Sequence, residues 1–219
     1  CYQRIPPDNP DAINTVVTIA RSAIQRRGGH AAHLMWCGGN ELACNLPVDN
    51  DTPLLPNDGT HPCLQALSKT VKKYDPGVRF LPTSPFGPVF FTGRQWIGTG
   101  LQHNVHGPWN MSGSFDDWKD LWDNDDALFH AETGHPGAES LDLIIKYQGQ
   151  YSLCPPSNDN PYWRHIVGLW WNQWDKYISD TNDCGRGDDA VERYVQWSQE
   201  TQSKALEYAV TQCKIKFPR

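Results

Sequence analysis

The sequence predicts an α/β fold in which parallel strands alternate with helices. Two observations support this prediction. Helical and strand patterns alternate along the chain, and the strand patterns are short, uninterrupted apolar runs, as in parallel strands that are buried on both faces. Polar residues that could act in catalysis or binding follow the ends of these runs. Open α/β sheets and (β/α)8 barrels both place their functional sites there. The 219 residues suffice for one domain, but only about four strands are evident, whereas a closed barrel needs eight.

The first part of the chain contains two helix–strand pairs. A helix is expected from about Asp11 to Arg27, because Pro10 precedes it, apolar residues recur at helical spacing, and Gly28 follows it. The apolar run in "HLMWCGG" predicts a strand that ends at Trp36. The segment "CLQALSKTVKKYDPGVRFL" predicts a helix, an Asp-Pro-Gly turn and a strand from Val78 to Leu81.

The second part contains two further strands and a long terminal helix. The segment "QWIGTGLQHNVHGPW" predicts a strand that ends in His, Gly and Pro. "DWKDLW" predicts a short helix, followed by a strand from Ala127 to Ala131 with Glu132 at its end. A long loop around "SLCPPSNDNPYWRH" precedes a helix from roughly Asp188 to Lys214.

Charge and composition exclude several classes of function. The net charge is −6 and the pI is about 5.7, so we expect no nucleic-acid partner. No apolar run approaches the roughly 20 residues of a membrane span, so no membrane partner is expected. The cysteines lack C-x-x-C spacing and no Gly-rich phosphate loop follows a strand, so neither a metal nor another cofactor is expected. Cysteine content and sequons at Asn50 and Asn110 suggest a secreted, periplasmic, lysosomal or vacuolar protein.

Tryptophan is abundant and often lies among polar residues. The chain has ten Trp, and segments such as "HGPWNMSG" and "NPYWRH" surround an indole with hydrogen-bonding groups. Indole faces beside such groups suit sugar rings, although core packing explains most of the ten equally well or better.

Two glutamates follow predicted strands directly. Glu41 ends "LMWCGGNE" and Glu132 ends "ALFHAE". A carboxylate at such a position needs partners that compensate its burial. Two of them at the end of one sheet match the paired carboxylates of glycoside hydrolysis. Capping or loop anchoring explains a single Glu equally well, so spacing alone leaves both interpretations open.

The same segments resemble a known family. "MWCGGNE" resembles the acid/base motif of glycoside hydrolase family 2, and "FHAETGHPGAES" resembles its nucleophile segment. "KKYDPGVRFLPTSPFG", "HNVHGPW" and "SQETQSKALEYAVTQCKIKF" are similar to other parts of its barrel, in the same order. The nearest branch is β-mannosidase-like. The resemblance implies that residues 1–219 form part of a (β/α)8 TIM barrel, about strands 4 to 7 with their helices.

The resemblance also implies the chemistry and its residues. The chain would belong to a retaining exo-β-glycosidase, most closely a β-mannosidase, acting on a β-linked oligosaccharide or glycoside. Glu132 would be the nucleophile, Glu41 the acid/base, and Asn40 the partner of the sugar 2-hydroxyl. Trp36, His103, His106 and Trp109 would add sugar contacts, although a His near a strand end is as often a structural hydrogen bonder. Trp163 either lines the pocket or anchors the long loop, and anchoring is the simpler interpretation.

Several alternatives remain at this stage. Activity on β-galactosides, β-glucuronides or β-glucosaminides is the nearest one, because loops set the substrate. A non-catalytic carbohydrate-binding relative is another, which the two intact glutamates disfavour. Four barrel strands on their own have two edge strands without a hydrogen-bonded neighbour. We therefore expect the chain to be one segment of a larger protein. Its partners would be the remaining segments of the same barrel and flanking β-sandwich domains.

Overall fold

The computed structural model describes residues 8–44, 55–156, 159–166, 173–181 and 188–216. The chain divides into two compact units, Cys1–Gly107 with Asp125–Thr133 and Pro108–Asn124 with Gly134–Arg219. Asn50 lies outside the described residues. The strands are β1 (Met35–Cys37), β2 (Arg79–Leu81), β3 (Asn104–His106) and β4 (Phe129–Glu132). The α-helices of the described part are α1 (Pro10–Arg27), α2 (Pro62–Tyr74), α3 (Phe115–Asn124), α4 (Leu141–Tyr147), α5 (Pro161–Ile166), α6 (Trp174–Thr181) and α7 (Asp188–Lys216).

The first unit is built on two packed helices. The Asn9 side chain caps α1 by accepting hydrogen bonds from the backbone N–H groups of Asp11 and Ala12, and Gly28 ends the helix. Helix α1 packs against α2, and α2 contacts β2. The core that these elements share consists of Leu42, Cys63, Leu64 and Leu67, with Ile13, Val16, Ala20 and Phe80 packed against it.

The strands of the first unit are parallel, as predicted. β1 pairs with β2, with Trp36 opposite Phe80, and β3 pairs with β4. A further parallel bridge between Asn40 and Ser84 continues the first pair beyond its strand ends. Because all these pairings are parallel, the carboxyl ends of paired strands lie at the same edge.

Strand burial is lower than the sequence predicts. All three residues of β3 are buried, but β1, β2 and β4 are partly exposed. Leu34 and Leu128, which precede β1 and β4, are 66% and 65% exposed. Three of the four described strands are therefore only partly buried, since their apolar residues lack cover from the described residues.

The second unit is helical in its described part. Helices α3 and α7 pack through a cluster that includes Trp118, Trp122 and Ala205. Around Tyr194 of α7, a second cluster gathers aromatic residues that include Trp163. None of the described helices combines the length and the apolar composition that a membrane span requires.

Candidate active site

Glu41 is held in a left-handed backbone conformation just beyond the end of β1. Its φ is +51°, a region that costs an L-residue about 1–2 kcal/mol. Two backbone hydrogen bonds fix it: Glu41 N–H donates to the Ser84 carbonyl at 2.7 Å, and Ser84 N–H donates to the Gly39 carbonyl at 3.0 Å. A Cβ at Gly38 would lie 2.5 Å from the Pro82 carbonyl oxygen, so this approach of the two segments requires glycine. Backbone strain that the surroundings enforce is typical of functional sites.

Glu132 and His106 occupy the last positions of β4 and β3. They are paired across the parallel ladder, and the register shifts between Val105 and His106. The shift is a local irregularity of the kind that re-aims side chains near sites. Gly107 N–H donates to the Glu132 carbonyl at 2.8 Å, which fixes the end of β4. Glu132 is therefore the last residue of its strand rather than the first residue after it.

His106 contacts both glutamates. Its Nδ1 lies 3.1 Å from Oε1 of Glu41 and 3.4 Å from Oε2 of Glu132. Its Nε2 lies 2.8 Å from Oγ of Ser84. The imidazole is fully buried, whereas the Glu41 and Glu132 side chains are 13% and 39% exposed. One oxygen of each carboxylate and a ring nitrogen of His106 all lie within 4.8 Å of one another.

This arrangement brings two carboxylates together with an imidazole nitrogen that contacts both. A protonated Nδ1 can donate to either carboxylate, and the Ser84 hydroxyl can donate to Nε2 or accept from it. Two neighbouring carboxyl groups are the residue types that general acid catalysis combined with nucleophilic attack requires. The same three side chains also present one nitrogen and two oxygen donors to a common point, which is a possible metal site.

Asn40 directly precedes Glu41 in the chain. Its backbone pairs with Ser84, and the residue is exposed. Within the described part of the chain, its amide makes no side-chain hydrogen bond. The amide therefore keeps its hydrogen-bonding capacity for a ligand.

Trp36 and His103 lie away from this cluster. The Trp36 indole N–H donates to Oδ2 of Asp75 at 2.8 Å, and Asp75 ends α2 on the approach to the amino end of β2. His103 is exposed and immediately precedes β3, so it lies at the strand end opposite His106. Glu41 and Glu132 lie at the carboxyl ends of the strands, and the sugar contacts of Trp36 and His103 stay predictions.

Trp163 and Trp109 belong to the second unit. Trp163 is 1% exposed, and its indole N–H donates to the Leu153 carbonyl at 2.8 Å. An indole with so little exposed surface has no face for a sugar, which favours the alternative that Trp163 anchors the long loop. Trp109 is half-buried, and its contact with a sugar stays a prediction.

Ser84 is the residue of the site that the sequence reasoning missed. It follows β2 in "LPTSP", as Glu41 follows β1. The signal that singled out the glutamates, a polar side chain just beyond a predicted strand, is also present at Ser84.

Comparisons with known proteins give one structural likeness. No protein-family model matches the chain, and no curated protein matches it. Among solved structures, the chain is similar to the crystal structure of β-D-mannosidase from Dictyoglomus thermophilum, with a TM-score of 0.57 and 16% sequence identity. The likeness covers 93% of this chain and 24% of that chain, so this chain spans about a quarter of that protein. At this identity the likeness establishes a shared fold.

Proposed function

We propose that this chain carries the catalytic carboxylates of a retaining exo-β-glycosidase, with β-mannosides as the first substrate class. The observation that carries the proposal is the pair formed by Glu41 and Glu132. One oxygen of each carboxylate lies within 4.8 Å of the other, at the carboxyl ends of parallel strands. Retaining glycosidases place their carboxyl groups about 5–5.5 Å apart, whereas inverting enzymes need about 6.5–9.5 Å.

In the first step, Glu132 attacks the anomeric carbon while Glu41 protonates the leaving oxygen. The carbon–oxygen bond to the aglycone breaks, a glycosyl ester forms on Glu132, and the aglycone leaves as the alcohol. The exposures support this division, because Glu132, whose side chain is 39% exposed, is the more open of the two carboxylates to an approaching anomeric carbon.

In the second step, Glu41 accepts a proton from water. The hydroxide equivalent attacks the anomeric carbon, the ester bond breaks, and Glu132 leaves as a carboxylate. In this proposal the Asn40 amide bonds the 2-hydroxyl, an interaction that strengthens in the oxocarbenium-like transition state. His106 acts through the carboxylates, since its buried ring contacts both of them.

We also propose that the barrel is completed by other segments of a longer protein, with flanking β-sandwich domains. Two observations support this. The likeness to the bacterial enzyme covers only 24% of that chain, and Leu34 and Leu128 expose apolar surface beside the strands. Apolar side chains next to strands are usually covered in α/β proteins.

The test uses the intact protein that contains this chain. Aryl β-mannoside, β-galactoside, β-glucuronide and β-glucosaminide substrates are compared, and we expect the mannoside to be hydrolysed fastest. Glu132→Gln is expected to abolish turnover with binding retained, while Glu139→Gln, an exposed control, leaves turnover unchanged. A 2-fluoro glycoside should label Glu132 in peptide mapping. Turnover that survives in Glu132→Gln removes this residue as the nucleophile, and sugar binding without any turnover in the wild type favours the non-catalytic alternative.

A further inference from the structure

We infer that Glu41, His106 and Glu132 together bind a divalent transition-metal ion of the zinc class, and that the bound ion blocks the proposed glycoside site. The metal binding stands on its own geometry, whereas the blocking rests on the proposed function. The expectation of no metal came from cysteine spacing, which does not bear on a site of imidazole and carboxylate donors.

The donor atoms are spaced for one small ion. Zinc–nitrogen and zinc–oxygen bonds of about 2.0–2.2 Å place neighbouring donors of a tetrahedral site roughly 3.3–3.6 Å apart. Nδ1 of His106 lies 3.1 Å from Glu41 Oε1 and 3.4 Å from Glu132 Oε2. The full set lies within 4.8 Å, so a modest rotation of the more exposed Glu132 side chain brings it into range.

His106 has the surroundings of a metal-ligating imidazole. Metal-bound His residues usually donate their second ring N–H to a fixed oxygen, which sets the tautomer and the ring orientation. Oγ of Ser84 lies 2.8 Å from Nε2 and can accept that N–H, which leaves the Nδ1 lone pair directed between the carboxylates. With both glutamates ionised, a cation at this point neutralises their mutual repulsion.

The donor types select the class of ion. Imidazole nitrogen suits Zn²⁺ and Co²⁺, whereas Mg²⁺ and Ca²⁺ prefer six or more oxygen ligands. Three protein ligands leave at least one position open for water. The ion has a route in, since Glu132 is 39% exposed while His106 is fully buried behind it.

Binding of the ion and catalysis require different states of the same residues. A metal takes both carboxylates in their deprotonated form. In the proposed hydrolysis, an oxygen of Glu41 must face the leaving oxygen and an oxygen of Glu132 must reach the anomeric carbon, so the ion and the sugar need the same carboxylate oxygens. The ion is therefore expected to compete with the glycoside, and a chelator should restore turnover.

The direct test titrates the chelator-treated intact protein with Co²⁺, whose visible absorption reports coordination, and then displaces it with Zn²⁺. We expect one ion per chain at this site. Glu132→Gln and His106→Gln should lose it, and Ser84→Ala should weaken binding by about tenfold or more. His30→Ala removes an exposed imidazole outside the cluster and should leave the titration unchanged. Circular dichroism and thermal melts confirm that each variant is folded.

The possible results separate this inference from the proposed function. Loss of the Co²⁺ spectrum in Glu132→Gln, with an unchanged His30→Ala, supports the site even if no glycoside is hydrolysed. Glycoside turnover without saturable Co²⁺ or Zn²⁺ binding overturns the inference and leaves the proposed function standing. Equal displacement of Co²⁺ by Mg²⁺, or an unchanged spectrum in folded His106→Gln, also overturns it.

Discussion

Ser84 Oγ lies 2.8 Å from Nε2 of His106, and this contact orients the imidazole that faces both carboxylates. The backbone of Ser84 acts on the same cluster, because its carbonyl accepts from Glu41 N–H at 2.7 Å. Ser84 therefore positions His106 through its side chain and Glu41 through its backbone. The two functions can be separated, because a substitution changes only the first.

Ser84→Ala should slow the proposed hydrolysis without weakening substrate binding. The loss of one neutral hydrogen bond, worth about 1 kcal/mol, corresponds to a fall in kcat of about fivefold. KM should stay close to the wild-type value, because Ser84 acts through His106 and the backbone bond to Glu41 remains. Steady-state kinetics on an aryl glycoside measure both parameters.

Ser84→Thr is the matched control, because it retains a hydroxyl. It should recover most of the lost rate, and its pH profile of kcat should match the wild type, whereas the profile of Ser84→Ala should differ. Equal losses in both variants, with unaltered pH profiles, would mean that the hydroxyl does not orient His106.

The sequence predicts that the two carboxylates lie at the ends of parallel strands. It does not predict the backbone conformations that hold them there. A Glu after each of two parallel strands predicts two carboxylates at one edge, and both Glu41 and Glu132 lie at carboxyl ends. The positive φ of Glu41 depends on its hydrogen bond to Ser84, more than forty residues away, so local propensity does not reveal it. The register shift before His106 is likewise a property of strand pairing.

Thr83 supports the turn that carries Glu41, and its hydroxyl should matter for stability. Thr83 is fully buried, and its Oγ1 accepts from the backbone N–H of Leu42 at 2.9 Å. Thr83→Val keeps the shape and leaves that N–H without this partner, so we expect a loss of roughly 1–3 kcal/mol in the free energy of unfolding. Urea denaturation of the intact protein, followed by tryptophan fluorescence, measures the change.

Thr83→Ser retains the hydroxyl and loses one methyl group. It should be less destabilising than Thr83→Val. If the order is reversed, packing of the methyl group outweighs the hydrogen bond, and the proposed support of the Glu41 turn by Thr83 fails.

Aromatic residues show a limit of sequence reasoning. Three tryptophans lie near polar residues in the sequence, which is typical of residues that contact sugars: Trp36, Trp109 and Trp163. The indole N–H groups of Trp36 and Trp163 bond to Asp75 and to the Leu153 carbonyl. Polar neighbours in sequence do not distinguish a buried indole that needs a hydrogen-bond partner from an exposed one that stacks on a ligand.

Trp163→Phe should therefore affect folding and leave the glycoside kinetics unchanged. The substitution removes the N–H that the Leu153 carbonyl accepts and leaves a small void, so we expect a loss of roughly 1–3 kcal/mol in stability. KM should not change. A severalfold rise in KM at unchanged stability would instead return Trp163 to the sugar pocket.

His135 should make the stability of the protein fall in mild acid. Burial lowers the pKa of His135 below its ordinary value, the Pro136 carbonyl opposes this, and the Lys176 ammonium adds to it. The ring is 4% exposed, and its Nε2 has no partner among the described residues. The unfolded chain therefore binds a proton at His135 more readily than the folded chain does.

The direction of the pH effect follows from this difference. Above the unfolded pKa of about 6.5, His135 is neutral in both states and contributes its full stability. As the pH falls below about 6.5 towards the lowered folded pKa, the unfolded state gains the proton first and stability is lost. Urea midpoints at about pH 7.5 and about pH 5.5 should thus differ more in the wild type than in His135→Gln, which has no titrating ring. An identical difference in the two proteins would show that another group causes the acid sensitivity.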